Sequence, residues 1–310
     1  MKIKGFYYNE IPLKKDYEGE AIATFIAAST NTGSRPTVLY IHGFIDYFFH
    51  PHLSDFFNES GFDFFALELR KYGHSILPNQ HPNYCRSLEE YFEELDASIL
   101  IIREENDRPL FLLGHSTGGL ISSLYLNKGK FKNLISGLIL NSPFLEVNVP
   151  GRLRTLLKPL SGLVSKVFPY AKISGMLTPI YPKSVHKDYN GEWDFNVSLK
   201  PLQGFPVYFA WSRAIMDAQD YIKEKSAIAC PVLLLHSSDS YLPKIHEQRV
   251  FESDIVLNVN HMKQIGPKLG SNVKLVEIRK AMHDVYLSPC PVRKQALMET
   301  KNWLQGVING

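Results

Sequence analysis

Cysteine is scarce in this 310-residue sequence: Cys85, Cys230 and Cys290 lie far apart, without the close pairs of a metal site or the even set of a disulfide framework. That scarcity points to a reducing compartment. Long apolar runs are missing as well: no segment reaches the length of a membrane span. The N-terminal MKIKGFYYNEIPLKKD is charged and polar where a secretory signal needs an apolar stretch, so the chain reads as cytoplasmic and without an integral membrane segment. Charge of one sign is not in surplus either. Lys and Arg number 34 against 31 Asp and Glu, with no basic block to track a phosphate backbone, which argues against nucleic acid as a partner. Internal repeats and low-complexity segments are absent.

What the chain does have is alternation. Short runs rich in β-branched and aromatic residues, each closed by polar or glycine punctuation, recur at TVLYIHG (37–43), FDFFALEL (62–69), PLFLLGHS (109–116) and LISGLILNSPF (134–144). The pattern resumes with CPVLLLHSS (230–238) and NVKLVEIRKAMHD (272–284), and such runs read as buried parallel strands. Between them, Ser87 and Glu90 form a capping box ahead of Leu88, Tyr91, Phe92, Leu95, Ile99 and Ile102 at helical spacing. A last helix is expected over Val292 to Ile308, after Pro291. The order implies an α/β fold with a mostly parallel, doubly wound sheet.

The interval 145–211 breaks this rhythm and is expected to be a largely helical cap inserted between core segments 1–144 and 212–310. Leu153, Leu156, Leu157, Leu160, Leu163, Val164 and Val167 follow helical spacing through Pro159, which is expected to kink or restart the helix. A stretch rich in aromatics follows, with Tyr181, Tyr189, Trp193, Phe195, Phe205 and Phe209. Arg152, Arg154, Lys158 and Lys166 suit a solvated helix face better than a site for an anionic head group.

Within LLGHSTGGL, Gly114-His115-Ser116-Thr117-Gly118 spells G-x-S-x-G, a string that average composition produces in about one chain in ten of this length. Its context raises its weight: an apolar strand precedes it and GLISSLYLN, carrying Leu120, Leu124 and Leu126, follows. A nucleophile on a sharp strand-to-helix turn is strained, and its crowded flanks call for glycine, which Gly114, Gly118 and Gly119 supply. The amide of Thr117 would face an oxyanion from the start of that helix, and HGF (42–44) leaves the amide of Phe44 as a second donor. His42 is expected to brace loops.

A serine hydroxyl needs a general base oriented by a carboxylate. Of eleven histidines, His283 in IRKAMHDVYLS follows the last strand and precedes the last helix, where the base of a Ser, Asp, His order belongs. His115 is expected to point away from the site. Two aspartates compete for the acid. Asp239 follows the strand PVLLLHSS at once, whereas Asp254 is followed by one helix and the last strand and lies 29 rather than 44 residues from His283. Asp254 is favoured, with HEQRVFE as part of an insertion before it.

With HGF, LELRKYGHS, GHSTGG, NSPF, a late aspartate and MHDV in that order, the chain resembles the α/β-hydrolase superfamily. Within it, the chain is similar to the lysophospholipase and monoglyceride lipase group, which also carries the serine aminopeptidase name. The likeness covers nearly the whole chain. One departure is HSSDSYLPKIHEQRVFESD, longer than the group's usual acid loop and without its glycine. The resemblance implies an ester hydrolase working through an acyl-enzyme, with Ser116 as nucleophile, His283 as base and Asp254 as orienting acid, no metal and no cofactor. It also implies structural roles for Arg70, Tyr72 and His74. Lysophospholipid, monoacylglycerol and small acyl esters stay open as substrates, as does transient membrane contact. Thioester or carbon–carbon bond hydrolysis, an aminopeptidase, or a non-catalytic binding protein on the same fold are the alternatives.

Overall fold

The computed structural model describes residues 2–175 and 177–310. Along the chain run β1 (Phe6–Asp16), β2 (Gly19–Ala28), β3 (Thr37–Ile41), α1 (Pro51–Glu59), β4 (Asp63–Glu68), α2 (Phe92–Glu105), β5 (Leu110–His115), α3 (Thr117–Lys128) and β6 (Gly137–Asn141). Then follow α4 (Gly151–Val167), β7 (Lys172–Ile173), α5 (Ile180–Val185), β8 (Val207–Tyr208), α6 (Phe209–Lys225), β9 (Val232–Ser237), α7 (Val259–Ile265), β10 (Val273–Ile278) and α8 (Cys290–Asn309).

Eight strands form one sheet in the order β1-β2-β4-β3-β5-β6-β9-β10. From β4 to β10 every pairing is parallel, and β1 and β2 join the β4 edge as an antiparallel hairpin. Side chains that alternate along a strand reach opposite faces. Leu39, Leu112, Leu138 and Leu234 therefore pack with α2, α3 and α6 on one side, while Val38, Phe111, Ile139 and Leu233 pack with α1 and α8 on the other. This two-sided burial explains why the central strands read as continuous apolar runs.

The β1–β2 hairpin was not among the sequence expectations, although Ile11 and Leu13 alternate with polar neighbours there. The capping box at Ser87 is formed, but it opens a 3₁₀ turn over Leu88–Tyr91 before α2 begins. The last helix starts two residues earlier than expected, at Cys290.

The larger correction concerns α4. It runs unbroken through Pro159 from Gly151 to Val167, and its only buried side chain is Ser161. Leu156, Leu163 and Val167 are 69, 64 and 61% exposed. Arg154 and Lys158 turn inward instead, pairing with Glu146, Asp217 and Asp220 (Arg154 Nη2 to Asp220 Oδ1, 2.7 Å), so those two do not form a solvated face. Arg213 of α6 also donates to the carbonyl of Lys158, just before the proline. The helix is thus continuous across Pro159, with α6 bonded to its inner side, despite the amide that the proline lacks. Among the described residues, no helix is long and apolar enough to cross a membrane.

Candidate active site

β5 ends in the turn that carries Ser116, whose backbone takes φ +52° and ψ −115°, a conformation that L-residues avoid. Close packing enforces it. A Cβ at Gly114 would stand 2.6 Å from the Gly118 carbonyl oxygen, and one at Gly118 would stand 2.4 Å from those of Ile41 and His42. The Ser116 amide donates to the Asn141 carbonyl (2.9 Å) and its own carbonyl accepts from Phe144 (3.0 Å), so the turn is tied to the adjoining strand end. Thr117 begins α3, where the first amides have no partner within the helix.

His283 arrives on the loop after β10. Its Nε2 lies 3.0 Å from Ser116 Oγ and its Nδ1 lies 2.9 Å from Asp254 Oδ2. Asp254 is fully buried, and its Oδ1 accepts the amides of Val256 (2.9 Å) and Leu257 (2.8 Å). Asp239, in contrast, is half exposed and bonded to Arg249 (2.7 Å), whose guanidinium holds its carboxyl below the usual range. The two aspartates meet through their backbones: the Asp254 amide donates to the Asp239 carbonyl (2.9 Å). The intervening loop thus leaves the end of β9 and returns to it, putting Asp254 where a shorter loop would put the first acid.

The structure therefore brings together Ser116, His283 and Asp254, with Phe44 beside them in the wall of a cavity of about 280 Å³. Leu177, Tyr181, Leu202, Ile255 and Val256 give that cavity an apolar lining. His115 departs from expectation. It lines the same cavity, its ring centre 4.9 Å from that of His283, and burial lowers its pKa, favouring the neutral form. His42 braces two loops, as expected: its Nδ1–H donates to the Gly43 carbonyl (2.8 Å) and its Nε2 accepts the Leu69 amide (3.1 Å). Arg70 is clamped on buried Glu94 (2.7 Å), Tyr72 is buried, and His74 sits on Glu68 (3.0 Å).

Three residues near the site carried no functional signal in the sequence. Tyr181 places its ring 5.6 Å from that of His283 and accepts the Asp284 amide (3.2 Å). Asp284, next to the histidine in MHDV, accepts from Asn141 Nδ2 (2.7 Å) and fixes that loop; burial pushes its carboxyl up, but His115, His50 and Asn141 together hold it below the usual range. Lys200 reaches the cavity wall from a distant part of the chain.

A family profile described as serine aminopeptidase, S33, of the hydrolase type, matches residues 32–286. The chain belongs to this family. Among similar proteins, phospholipase YtpA of Bacillus subtilis is 33% identical over 208 residues, 66% of this chain and 76% of that protein. Monoglyceride lipase of Saccharomyces cerevisiae is 27% identical over 218 residues, 66% of this chain and 67% of its own length. A third relative, from Schizosaccharomyces pombe, is 31% identical over 134 residues, which is 43% of this chain and 35% of that protein. In fold, the chain matches the crystal structure of a soluble variant of the S. cerevisiae monoglyceride lipase, in complex with a substrate analog. That match has a TM-score of 0.70 at 18% identity and covers 99% of this chain and 97% of the other. The class these relatives share is the carboxylic ester hydrolase, and this α/β-hydrolase belongs with them.

Proposed function

We propose that the protein cleaves acyl esters of the monoacylglycerol or lysophospholipid kind through a Ser116-His283-Asp254 triad. The observation that carries this reading is the unbroken chain from the Asp254 carboxylate through the His283 ring to the Ser116 hydroxyl, at 2.9 and 3.0 Å, opening on an apolar cavity.

Asp254 accepts a hydrogen bond from Nδ1–H and so holds His283 in the tautomer whose Nε2 is free to take the proton of Ser116 as its oxygen attacks the ester carbonyl. The amides of Phe44 and Thr117 stabilise the oxyanion, the alcohol leaves with the proton that His283 returns, and water repeats the sequence on the acyl-enzyme. In this reading residues 145–211 are the cap over the site and the apolar lining receives the acyl chain. The outward leucines of α4 make transient contact with a lipid surface. The three free cysteines suit a cytoplasmic location.

An aminopeptidase would require an unpaired carboxylate to receive a substrate ammonium. Among the described residues lining the cavity, the one carboxylate is Asp46, and Lys200 already neutralises it at 2.6 Å. That favours ester over peptide. The test is a panel of p-nitrophenyl esters of rising chain length on the native protein and Ser116→Ala. Loss of turnover in the variant supports the proposal, and persistence of turnover overturns it.

A further inference from the structure

The loop Gly43–Asp46 that leaves β3 contains a conformation it does not hold alone. Ile45 has φ +51°, in the left-handed region, which is unfavourable for a β-branched side chain. Such a residue persists only where its surroundings over-determine it. Here they do so from three sides, and all three supports come from residues 200–211. Ahead of Ile45, the Phe44 ring lies against that of Trp211, centre to centre 4.0 Å. Beneath it, Gly204 packs so closely that an added Cβ would come 3.1 Å from Ile45 Cδ1. Behind it, Lys200 Nζ donates to Asp46 Oδ1 at 2.6 Å, and both residues are buried. The next residue is held too, since Tyr47 Oη accepts the Asn196 amide at 2.7 Å.

We infer that Lys200 is a positioning residue for the oxyanion loop: its bond to Asp46, with Trp211 on Phe44, sets the Phe44 amide at the site of the developing negative charge. This rests on the reading of Ser116 as nucleophile and Phe44 as oxyanion donor. Lys200 does not stand as a free receptor for an anionic substrate. Its charge is met by Asp46, and its ammonium lies 4.7 and 5.4 Å from the ring centres of Phe49 and Phe195. A buried ion pair is a weak source of stability compared with an apolar pair of similar size, so its retention is better accounted for by the geometry it imposes. The consequence is that the insertion, besides covering the cavity, completes the catalytic site from above. Burial works against ionisation of Asp46, yet Lys200 beside it holds its carboxyl down at about 2, so Asp46 stays ionised throughout the neutral range.

The test compares Lys200→Met, Asp46→Asn, the double variant and Lys200→Arg in the full chain, with p-nitrophenyl butyrate as substrate and a trifluoromethyl ketone as oxyanion-forming inhibitor. Each single variant is expected to lose about 10- to 100-fold in kcat with KM within about twofold, because a displaced donor weakens only the transition state. Inhibitor affinity should fall in parallel, the double variant should be no worse than the poorer single one, and Lys200→Arg should recover most of the turnover. A raised KM with unchanged kcat and inhibitor affinity would make Lys200 a substrate contact and overturn the inference. If Lys200→Met melts below the assay temperature, Trp211→Leu carries the same test: a fall in kcat and inhibitor affinity together supports the inference, and a change in neither overturns it. Ser116→Ala separates the two levels. Activity remaining there defeats the triad reading, whereas its loss beside an unimpaired Lys200→Met defeats only the role of Lys200.

Discussion

Helices α3 and α4 show how differently a helix packed on the sheet and one in the long segment between β6 and β9 use apolar residues. From Thr117 to Leu126 every side chain of α3 is buried, whereas α4 buries Ser161 alone in 17 residues. α3 lies between the sheet and α6, so it is apolar nearly all round, as a central helix must be. α4 has two faces, and its charged one is inside. Arg154 and Lys158, one turn apart, meet Glu146, Asp217 and Asp220, so the charged face has partners that the leucine face lacks. Hydrophobic spacing shows that a helix has two faces; it does not show which of them water will touch. In the core that ambiguity is harmless, because the sheet supplies the apolar partner. Away from the sheet it is not, and the outward patch of Leu156, Leu160, Leu163, Val167 and Phe168 has the character of a contact surface.

The core side of this contrast breaks most sharply at the acid. Asp254→Asn should lower kcat by about 10⁴, since the amide cannot hold His283 in the tautomer that accepts the serine proton. Asp239→Asn should cost less than about threefold, because its carboxylate faces solvent and Arg249 and an exposed pair is worth little. Steady-state kinetics of the two variants side by side decides it. Equal losses would mean that the buried loop geometry does not determine the acid.

How far the sequence reaches follows the same division. The strands, the turn at Ser116 and the loop of His283 were legible because each is local: a run of apolar residues, glycines at fixed offsets, a position after the last strand. The position of Asp254 was legible from element order, although the return of its loop to the end of β9 was not. The N-terminal hairpin leaves only a faint trace, because β1 buries just Ile11 and Leu13 of its eleven residues. The inward turn of His115, the outward turn of the α4 leucines and the approach of Lys200 to Asp46 are set by partners distant in the chain, across as many as 154 residues for the last. No local pattern encodes them.

The next effect belongs to the core beneath the site. Burial lowers the pKa of His50 to about 4 and that of His52 to about 3. The unfolded chain takes up these protons near pH 6.5 and the folded one only well below it, so between those values the unfolded state binds more protons. Stability is therefore full above about pH 6.5 and falls as the pH drops, by about 1.4 kcal/mol per pH unit for each group. Among the described residues neither ring nitrogen of His50 has a partner, and its ring is surrounded by those of Tyr40, Phe48 and Phe49. His50→Phe should keep stability at pH 7 and flatten its decline toward pH 5. Denaturant midpoints at pH 7, 6 and 5 measure the slope, and an unchanged slope would refute the assignment.

The smallest effect tests the α4 side. If the outer face of α4 meets a lipid surface, each leucine withdrawn from water contributes about 1 kcal/mol, given its partial exposure. Leu156→Ser should then weaken adsorption to phosphatidylcholine vesicles by about fivefold, and Leu163→Ser should do the same. Turnover of a soluble short-chain ester should not change, since neither side chain lines the cavity. Vesicle co-sedimentation beside p-nitrophenyl acetate kinetics separates the two readouts. Loss of both would mean that α4 supports the fold around it rather than a contact beyond it. Loss of neither would leave six exposed apolar side chains on Leu153–Phe168 without a lipid role and turn attention to a protein partner. Either result bears on why the charged face of this helix, and not its leucines, is turned toward the protein.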